Sequence, residues 1–462
     1  MGRTIEKDCH SERSEESKTE TLRCAQGDKW IRLSDFDYEL PKELVAQNAL
    51  PRRAEARLLV LNRKSGDIEH RTFCDVTEYF EKGDILVLND TKVIPARLFG
   101  KRKSGGRVEI LLLGPSLRGS DPTVAEAISK GVSSPNVLVG DPKTWIPAFA
   151  GMTTGWDIWK ALVKPSGRVR QGEIIELTGS AKIEVMDAPA FDVGIRHLRF
   201  EDCDVAQFLE TYGRIPLPPY IDREDTPVDR ELYQTIFARQ PGAVASPTAG
   251  LHFDQALLNQ IEAKGVEILF VTLHVGYGTF QPVASENLTQ HKMYQECFDV
   301  SDEVAERINF AKIDGRRVIA CGTTVVRALE SVAVGIGTGS VASCHSREGA
   351  SRSSGGRPLG HLAPCGRHGG NPESGSPIKA FGDDSRPVPG VKPMQGMTDL
   401  FVYPPYEFEI VDAMITNFHL PRTTLLMLAS AFAGHELLKS AYCEAIQKRY
   451  RFYSYGDAML IL

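Results

Sequence analysis

The sequence lacks the features that mark several large classes of protein. Its nine cysteines are scattered without a CxxC pair, which argues against a disulfide framework and favours reduced thiols in a cytoplasm. No apolar run reaches the roughly 20 residues that a membrane helix needs, and the polar N-terminal residues do not resemble a secretory signal. The net charge of −6 argues against a generic basic nucleic-acid binder, although it is compatible with a local basic patch.

Familiar catalytic signatures are also missing. The chain contains neither the GxGxxG nor the GxxxxGK[ST] pattern of nucleotide-binding loops, and it contains no HExxH and no GxSxG. No two histidines have the i, i+4 spacing of helical metal ligands, so a histidine metal cluster is the less favoured alternative. We therefore expect no metal and no bound cofactor.

The chain of 462 residues, 42% of them hydrophobic, is long enough for two or three domains with sizeable cores. Three stretches lack hydrophobic periodicity and are rich in small, polar and charged residues. They are predicted to be a disordered extension at 1–29 and two surface insertions at about 115–155 and about 334–393.

Two patterns of hydrophobicity alternate along the rest of the chain. Residues 96–200 contain short alternating runs separated by Gly-rich turns, such as RVEILLL and KPSGRVRQG, which predict an antiparallel β-barrel domain. Residues 30–95 and 201–462 instead alternate buried strands with helical patterns, and these predict an α/β domain. Asp254 is a plausible N-cap of one helix, and Gly265 is suited to end it.

Four polar loops lie at the ends of predicted strands of the α/β domain. They are SPTAGLHFD after residues 243–245, HVGYGTFQ at the end of 266–275, CGTT at the end of 318–321 and TNFHLPRTT after 411–415. Parallel strands would bring all four loops to one edge of the sheet, where ligands bind in such folds. This edge is the predicted active site.

Histidine is the commonest general acid or base near neutral pH, and His252, His274, His291 and His419 are the candidates in or near these loops. For any one of them, a hydrogen-bonded structural role is an equal alternative. Six basic residues are singled out in the barrel: Arg97, Lys101, Arg102, Arg107, Lys164 and Arg168. They are either a solvated sheet face or a footprint for a phosphate backbone.

A series of motifs covers nearly the whole chain outside the three unusual stretches. It includes SDFDYELP, LVLNDTKVIPARLFG, YGRIPLPPYI, GAVASPTAGLHFD, VTLHVGYGTFQPV, GTTVVRALE and DAMITNFHLPRTTLLMLASAFAG. In content and order, the series resembles that of the S-adenosylmethionine:tRNA ribosyltransferase-isomerase family. The resemblance implies an α/β fold, a large α/β domain with an inserted smaller antiparallel β-barrel domain.

The resemblance also implies a reaction in queuosine biosynthesis. The ribosyl group of S-adenosylmethionine would be transferred and isomerised onto a 7-aminomethyl-7-deazaguanine at the tRNA wobble position, giving epoxyqueuosine-tRNA, adenine and methionine. The implied partners are S-adenosylmethionine as substrate and tRNA, bound by a cytoplasmic monomer through the six basic barrel residues, with no membrane and no obligate protein partner.

We assign roles to the loop residues on this basis. His252, His274 and Asp254 are the catalytic candidates. The substrate-binding candidates are Arg214, Tyr220, Thr248, Gly250, Gly276, Gly278, Phe280, Thr323, Thr324, Arg327, Asn417, His419 and Arg422. Arginine suits a methionine carboxylate or a phosphate, and the aromatic rings suit base stacking. Two alternatives stay open: a tRNA-binding family member whose insertions have abolished catalysis, and an S-adenosylmethionine-dependent RNA methyltransferase.

Overall fold

The computed structural model describes residues 32–115, 158–187, 194–280, 283, 285–336 and 388–462. The extension predicted at 1–29 lies outside these residues. The stretch predicted at about 115–155 also lies outside them apart from Pro115, and the one at about 334–393 apart from its two ends.

The described residues form nineteen strands, which we number along the chain. They are β1 Arg57–Leu61, β2 Ile68–Thr72, β3 Ile85–Asn89, β4 Thr91–Val93, β5 Arg97–Arg102, β6 Arg107–Pro115, β7 Ile158–Lys164, β8 Ile174–Leu177, β9 Lys182–Asp187, β10 Ile195–Glu201, β11 Gln240–Ala243, β12 Glu267–Leu273, β13 Glu296–Val300, β14 Val318–Cys321, β15 Ala333–Ile336, β16 Val388–Val391, β17 Met394–Thr398, β18 Ala413–Asn417 and β19 Ala458–Ile461.

The same residues form seven α-helices. They are α1 Val205–Tyr212, α2 Asp229–Leu232, α3 Gln255–Ala263, α4 Asp302–Ile313, α5 Thr323–Glu330, α6 Thr424–Ala433 and α7 His435–Gln447. Within the described part of the chain, none of the helices has the length and apolar character needed to cross a membrane.

Nine strands make one large mixed sheet in the order β17-β13-β12-β3-β14-β18-β19-β1-β2. At its centre β12, β3, β14 and β18 are neighbours and all parallel, while β19 runs antiparallel to β18. The carboxyl ends of the four parallel strands therefore lie at the same edge. Three of them, β12, β14 and β18, are strands that the sequence predicts to end there, and the fourth is β3 in place of the strand predicted at 243–245.

The central strands are buried on both faces. In β3, Ile85 and Val87 belong to one hydrophobic cluster, and Leu86 and Leu88 belong to another. Because successive side chains of a strand point to opposite faces, the two clusters are the cores on either side of the sheet. This explains why the sequence of β3 is continuously apolar rather than alternating.

The barrel is closed and antiparallel, with its strands in the order β10-β7-β6-β5-β8-β9. Alternate residues such as Leu98, Val108, Ile110 and Trp159 fill a separate core inside it. The predicted fold class, a large α/β domain with a smaller antiparallel barrel within its sequence, is confirmed.

Three predicted boundaries differ from those in the structure. The strand predicted at 243–245 is β11, which pairs with β4 in a separate two-stranded sheet. The strand predicted at 411–415 begins two residues later, because the N–H of Val411 donates to the Glu330 carboxylate instead of a neighbouring strand. Helix α5 begins at Thr323 rather than 325, because Gly322, with φ +94°, turns the chain directly after β14.

Strands occupy both ends of the stretch predicted at about 334–393. Strands β15 and β16 pair antiparallel, with Ile336 opposite Val388. The two points at which the chain leaves and re-enters the described structure are thus next to each other.

Candidate active site

A cleft lies at the edge of the sheet where the four parallel strands end, and we call it the edge cleft. It encloses about 570 Å³, counting space open to solvent. Each of the four predicted polar loops contributes to its wall, so the loops do meet at one edge. Six of the predicted substrate-binding residues line it: Tyr220, Thr248, Thr323, Thr324, Asn417 and His419.

Asn417 connects the edge cleft to His252. Its Nδ2 donates to the carbonyl of Tyr453 at 3.2 Å, and because a carbonyl oxygen only accepts, this contact determines which way the amide faces. The same nitrogen lies 3.2 Å from Nε2 of His252, which must therefore accept, with the imidazole proton on Nδ1. Burial, with help from Arg451 and Arg53, lowers the pKa of His252 to about 3.

His274 directly follows β12. Its Nδ1 forms a hydrogen bond of 2.8 Å with the hydroxyl of Thr91, and burial lowers its pKa to about 4. The ring packs against the backbone of Gly242, where a Cβ atom would lie 2.9 Å from the imidazole. The φ angle of +151° at this glycine is a second reason why another residue would be strained there.

His419 lines the edge cleft and is held at three points. Its Nε2 is 2.8 Å from the Thr416 hydroxyl, its backbone N–H donates to the Tyr442 hydroxyl at 2.8 Å, and its carbonyl accepts from the Tyr38 hydroxyl. Burial lowers its pKa to about 3. All three of these imidazoles are therefore neutral at pH 7.

Thr323 and Thr324 form the first turn of α5 and line the edge cleft. Asn89, the last residue of β3, donates to the Thr324 hydroxyl at 3.2 Å and to the carbonyl of Leu273 at 2.9 Å. This side chain ties three neighbouring strand ends together. The N–H groups of the first turn of a helix favour a negatively charged ligand group.

Arg327 lies deeper in the protein than the sequence predicts for a substrate-binding residue. Its guanidinium forms a buried ion pair with Glu296, and its Nε donates to the carbonyl of Leu400 at 3.0 Å. Its charged atoms thus have protein partners, and it is not part of the edge-cleft wall.

Asp254 and the predicted glycines have local structural contacts. The Asp254 carboxylate accepts from the N–H of Leu257 at 2.8 Å and so caps α3. A Cβ atom at Gly250 would lie 2.9 Å from Phe237, and one at Gly278 would lie 2.4 Å from the Tyr294 ring. Gly276 donates its N–H to Glu296 at 2.7 Å.

Arg214 and Arg422 are ion-paired at the surface, with Glu224 at 3.2 Å and Asp37 at 2.8 Å respectively. Phe280 is the last residue of a short 3-10 helix that begins at Tyr277.

The barrel places the six basic residues in two groups. Arg97 pairs with Glu109 at 2.9 Å, and Arg102 makes two contacts with Glu173 at 2.6 and 3.1 Å. The other group has no carboxylate partner among the described residues and is exposed: Lys101, Arg107, Lys164 and Arg168. In this second group the guanidinium of Arg107 lies over the Phe99 ring, 4.6 Å from its centroid.

A wider cleft separates the barrel from the proline-rich segment before α2, and we call it the domain cleft. It encloses about 1320 Å³, counting space open to solvent. Arg97 and Lys164 line it on the barrel side, Pro219 and Arg223 on the other, and Tyr277 at its base. The sequence predicts Arg97 and Lys164 for tRNA but not the cleft itself.

Several residues of the edge cleft are missed by sequence reasoning. Ser246, Thr416, Tyr453 and Ser454 line it, and Asn89 supports it. The signal for Asn89 is the polar run NDT after a buried strand, and that for Tyr453 and Ser454 is the polar break in RFYSYGDAML. Both segments are far along the chain from the other loops, so the sequence does not show that they belong to the cleft.

Comparisons with known proteins agree on one family. A family model described as "Queuosine biosynthesis protein" matches residues 33–461. A relative from Halothermothrix orenii is 41% identical over 434 residues, 94% of this chain and 100% of the relative, and one from Aquifex aeolicus is 40% identical over 432 residues with the same coverage. Both relatives are named S-adenosylmethionine:tRNA ribosyltransferase-isomerase.

A crystal structure of S-adenosylmethionine tRNA ribosyltransferase from Thermotoga maritima is also similar. It is 30% identical in sequence, and the match covers 93% of this chain and 100% of that one, with a TM-score of 0.41.

Proposed function

This chain belongs to the queuosine biosynthesis protein family and is an enzyme of the transferase class, and from that premise we propose its reaction. It transfers and isomerises the ribosyl group of S-adenosylmethionine onto 7-aminomethyl-7-deazaguanine at the wobble position of tRNA. The products are epoxyqueuosine-tRNA, adenine and methionine.

The observation that carries this proposal is the shared wall of the two clefts. Tyr220 lines the edge cleft, and its neighbours Pro219 and Ile221 line the domain cleft. The loop after β12 does the same, with Thr279 on the edge cleft and Tyr277 on the domain cleft. A smaller cleft, to which we assign the small-molecule substrate, therefore adjoins a larger one, to which we assign the RNA loop.

The protonation state of the histidines suits the first chemical step. The sulfonium of S-adenosylmethionine makes the neighbouring C5′ hydrogens acidic, so the reaction needs a base. A buried imidazole with a pKa of about 4, such as that of His274, is unprotonated at neutral pH and accepts a proton. The imidazole can donate a proton to the departing adenine only after it has accepted one from C5′.

We assign the base to His274 or His252, and the same ring, once protonated, donates a proton to the departing adenine. Neither ring is in the wall of the edge cleft, but each adjoins a residue that is, Val275 and Asn417 respectively. Adenosine and methionine bind in the edge cleft. Thr248, whose hydroxyl donates to Oδ1 of Asn417 at 3.1 Å, is well placed to transmit ligand binding to His252. The first turn of α5 suits the methionine carboxylate. Phosphates of the anticodon stem-loop would contact Lys101, Arg107, Lys164 and Arg168.

The test is chromatography of the small molecules released from S-adenosylmethionine by the purified protein. One reaction contains tRNA carrying the aminomethyl-deazaguanine, and the control contains unmodified tRNA. Release of adenine and methionine with the modified tRNA alone is the expected result. S-adenosylhomocysteine would instead identify a methyltransferase, and tRNA binding without release would identify an inactive family member.

The same assay tests His274. We expect His274→Ala to fold and to lose turnover, and near-normal turnover would remove His274 from the mechanism. His291→Ala is the matched control, because His291 packs against the Phe401 ring and lies outside the four polar loops at the strand ends.

A further inference from the structure

The loop from His274 to Phe280 is the wall between the two clefts, and a buried ion pair lies behind it. We propose that Glu296 is a positioning residue that holds this loop in place for both substrates, and that Arg327 neutralises and orients its buried carboxylate. The prediction for enzyme turnover rests on the proposed function, whereas the prediction for amide hydrogen exchange in the loop does not.

Glu296 holds the loop through one carboxylate oxygen. Its Oε1 accepts from the N–H of Gly276 at 2.7 Å and from the hydroxyl of Thr279 at 3.0 Å. Its Oε2 accepts from the guanidinium of Arg327. One side chain therefore ties the loop at two points, three residues apart, to helix α5.

Arg327 connects this anchor to the opposite wall of the edge cleft. It lies on α5, whose first turn contains Thr323 and Thr324 of the cleft wall. Its other contacts are with the carbonyls of Leu400 and Thr398, at 3.0 and 3.5 Å. The pair thus fixes the loop relative to the end of β14 as well as to the segment after β17.

The burial of the pair argues that its purpose is not stability alone. Both side chains are only 4% exposed, and a buried ion pair of this kind is commonly replaced by apolar residues without loss of stability. Such a replacement would fill the space equally well. An apolar replacement would not supply an oxygen that accepts hydrogen bonds from Gly276 and Thr279.

Both clefts depend on where this loop lies. Thr279 lines the edge cleft, and Tyr277 lines the domain cleft and packs against the core of the barrel. A displacement of the loop by about 1 Å is enough to lower a rate roughly a hundredfold when it misplaces reacting groups. His274 is the first residue of the loop, so it would move with it.

Two double variants separate positioning from structure. Glu296→Gln with Arg327→Met removes both charges but keeps an amide oxygen that accepts from Gly276 and Thr279. Glu296→Leu with Arg327→Met removes both charges and the oxygen. We expect the first to retain turnover within about threefold of the unaltered protein and the second to lose roughly ten- to a hundredfold in kcat.

The second measurement is amide hydrogen exchange at residues 274–280. Exchange at Gly276 is expected to rise in Glu296→Leu with Arg327→Met and to stay slow in Glu296→Gln with Arg327→Met. This comparison needs no turnover, so it still decides the inference if the unaltered protein releases no adenine. Equal turnover and equal exchange in the two double variants would show that the pair is structural only.

A milder pair of variants covers the case in which the double variants do not fold. Thr279→Ser keeps the hydroxyl that donates to Glu296, and Thr279→Val keeps the shape of the side chain without it. Faster exchange and lower kcat for Thr279→Val than for Thr279→Ser support the inference. Identical behaviour of the two overturns it.

Discussion

Three imidazoles near the edge cleft are uncharged at neutral pH, and their surroundings explain why. Burial is the largest cause for His252, His274 and His419 alike. Each also has a ring nitrogen engaged with a neutral group: the Asn417 amide, the Thr91 hydroxyl or the Thr416 hydroxyl. A neutral partner does not stabilise the protonated ring as a carboxylate would, so these histidines stay unprotonated at neutral pH.

The depressed pKa of His274 predicts a dependence of stability on pH. Its pKa is 6.5 in the unfolded chain and about 4 in the folded protein, so between these values the unfolded state binds a proton that the folded state does not. The free energy of unfolding therefore falls as the pH is lowered through this window, by at most about 3 kcal/mol from this residue.

Urea unfolding at intervals between pH 7.5 and 4 measures this dependence, with His274→Gln as the comparison. The variant lacks the titrating ring, so its free energy of unfolding should change less steeply over the window than that of the unaltered protein. Parallel curves for the two proteins would contradict the assignment.

At the scale of single elements, α3 shows how a predicted catalytic residue can have a second role. Asp254 is predicted both as an N-cap and as a catalytic candidate, and its carboxylate accepts from the Leu257 N–H. It is not in the wall of the edge cleft. Its geometry therefore supports the cap and gives no support to catalysis.

Two substitutions at this position separate the roles. We expect Asp254→Ala to lower the free energy of unfolding by about 1 kcal/mol through loss of the cap, and Asp254→Asn to change it little. Adenine release at saturating substrate should be similar for Asp254→Asn and the unaltered protein. A large loss of turnover in Asp254→Asn, with stability retained, would instead make the carboxylate catalytic.

At the scale of the whole molecule, the overall charge of −6 conceals a barrel surface with exposed cations. Binding of tRNA there should weaken with salt, because each phosphate that a cation neutralises releases counterions. Lys164→Gln combined with Arg168→Gln is expected to reduce the slope of log K against log salt by roughly 0.7–0.9 for each phosphate that is no longer neutralised.

Filter binding of tRNA at several salt concentrations measures that slope. The matched control is Lys182→Gln, which removes an exposed lysine of β9 outside the predicted set. If the control and the double variant have equal slopes, the predicted surface does not meet the RNA backbone.

The third unusual stretch offers a further test at this scale. Because Ile336 and Val388 are paired, residues 337–387 can be replaced by a short Gly-containing turn without moving either strand. We expect the free energy of unfolding to change by no more than about 0.5 kcal/mol, since the entropic cost of closing a loop depends only weakly on its length. Adenine release should also be retained.

Thermal unfolding and the release assay check this variant against the full-length chain. A substantial loss of stability would mean that residues 337–387 pack against the protein. A gain in activity would mean that they restrict the access of a substrate.

The sequence by itself determined the elements and their broad arrangement. Continuous apolar runs predicted the doubly buried strands, alternation with Gly-rich turns predicted the barrel, and Asp254 and Gly265 marked the ends of a helix. These signals are local. A strand buried on one face has apolar residues at every second position, and a strand buried on both faces has a continuous apolar run. The same signals also predicted that four polar loops meet at one edge, because parallel strands share a carboxyl end. That reason holds for three of the loops, whereas the loop after β11 reaches the same edge from a separate sheet.

Only the tertiary structure decided which atoms meet there. Asn417 and His252 are 165 residues apart in sequence and 3.2 Å apart in space, and Arg327 meets Glu296 rather than the open cleft. The domain cleft likewise exists only once the barrel packs beside the proline-rich segment. Contacts between distant segments depend on how whole elements pack, and no local period in a sequence encodes that geometry.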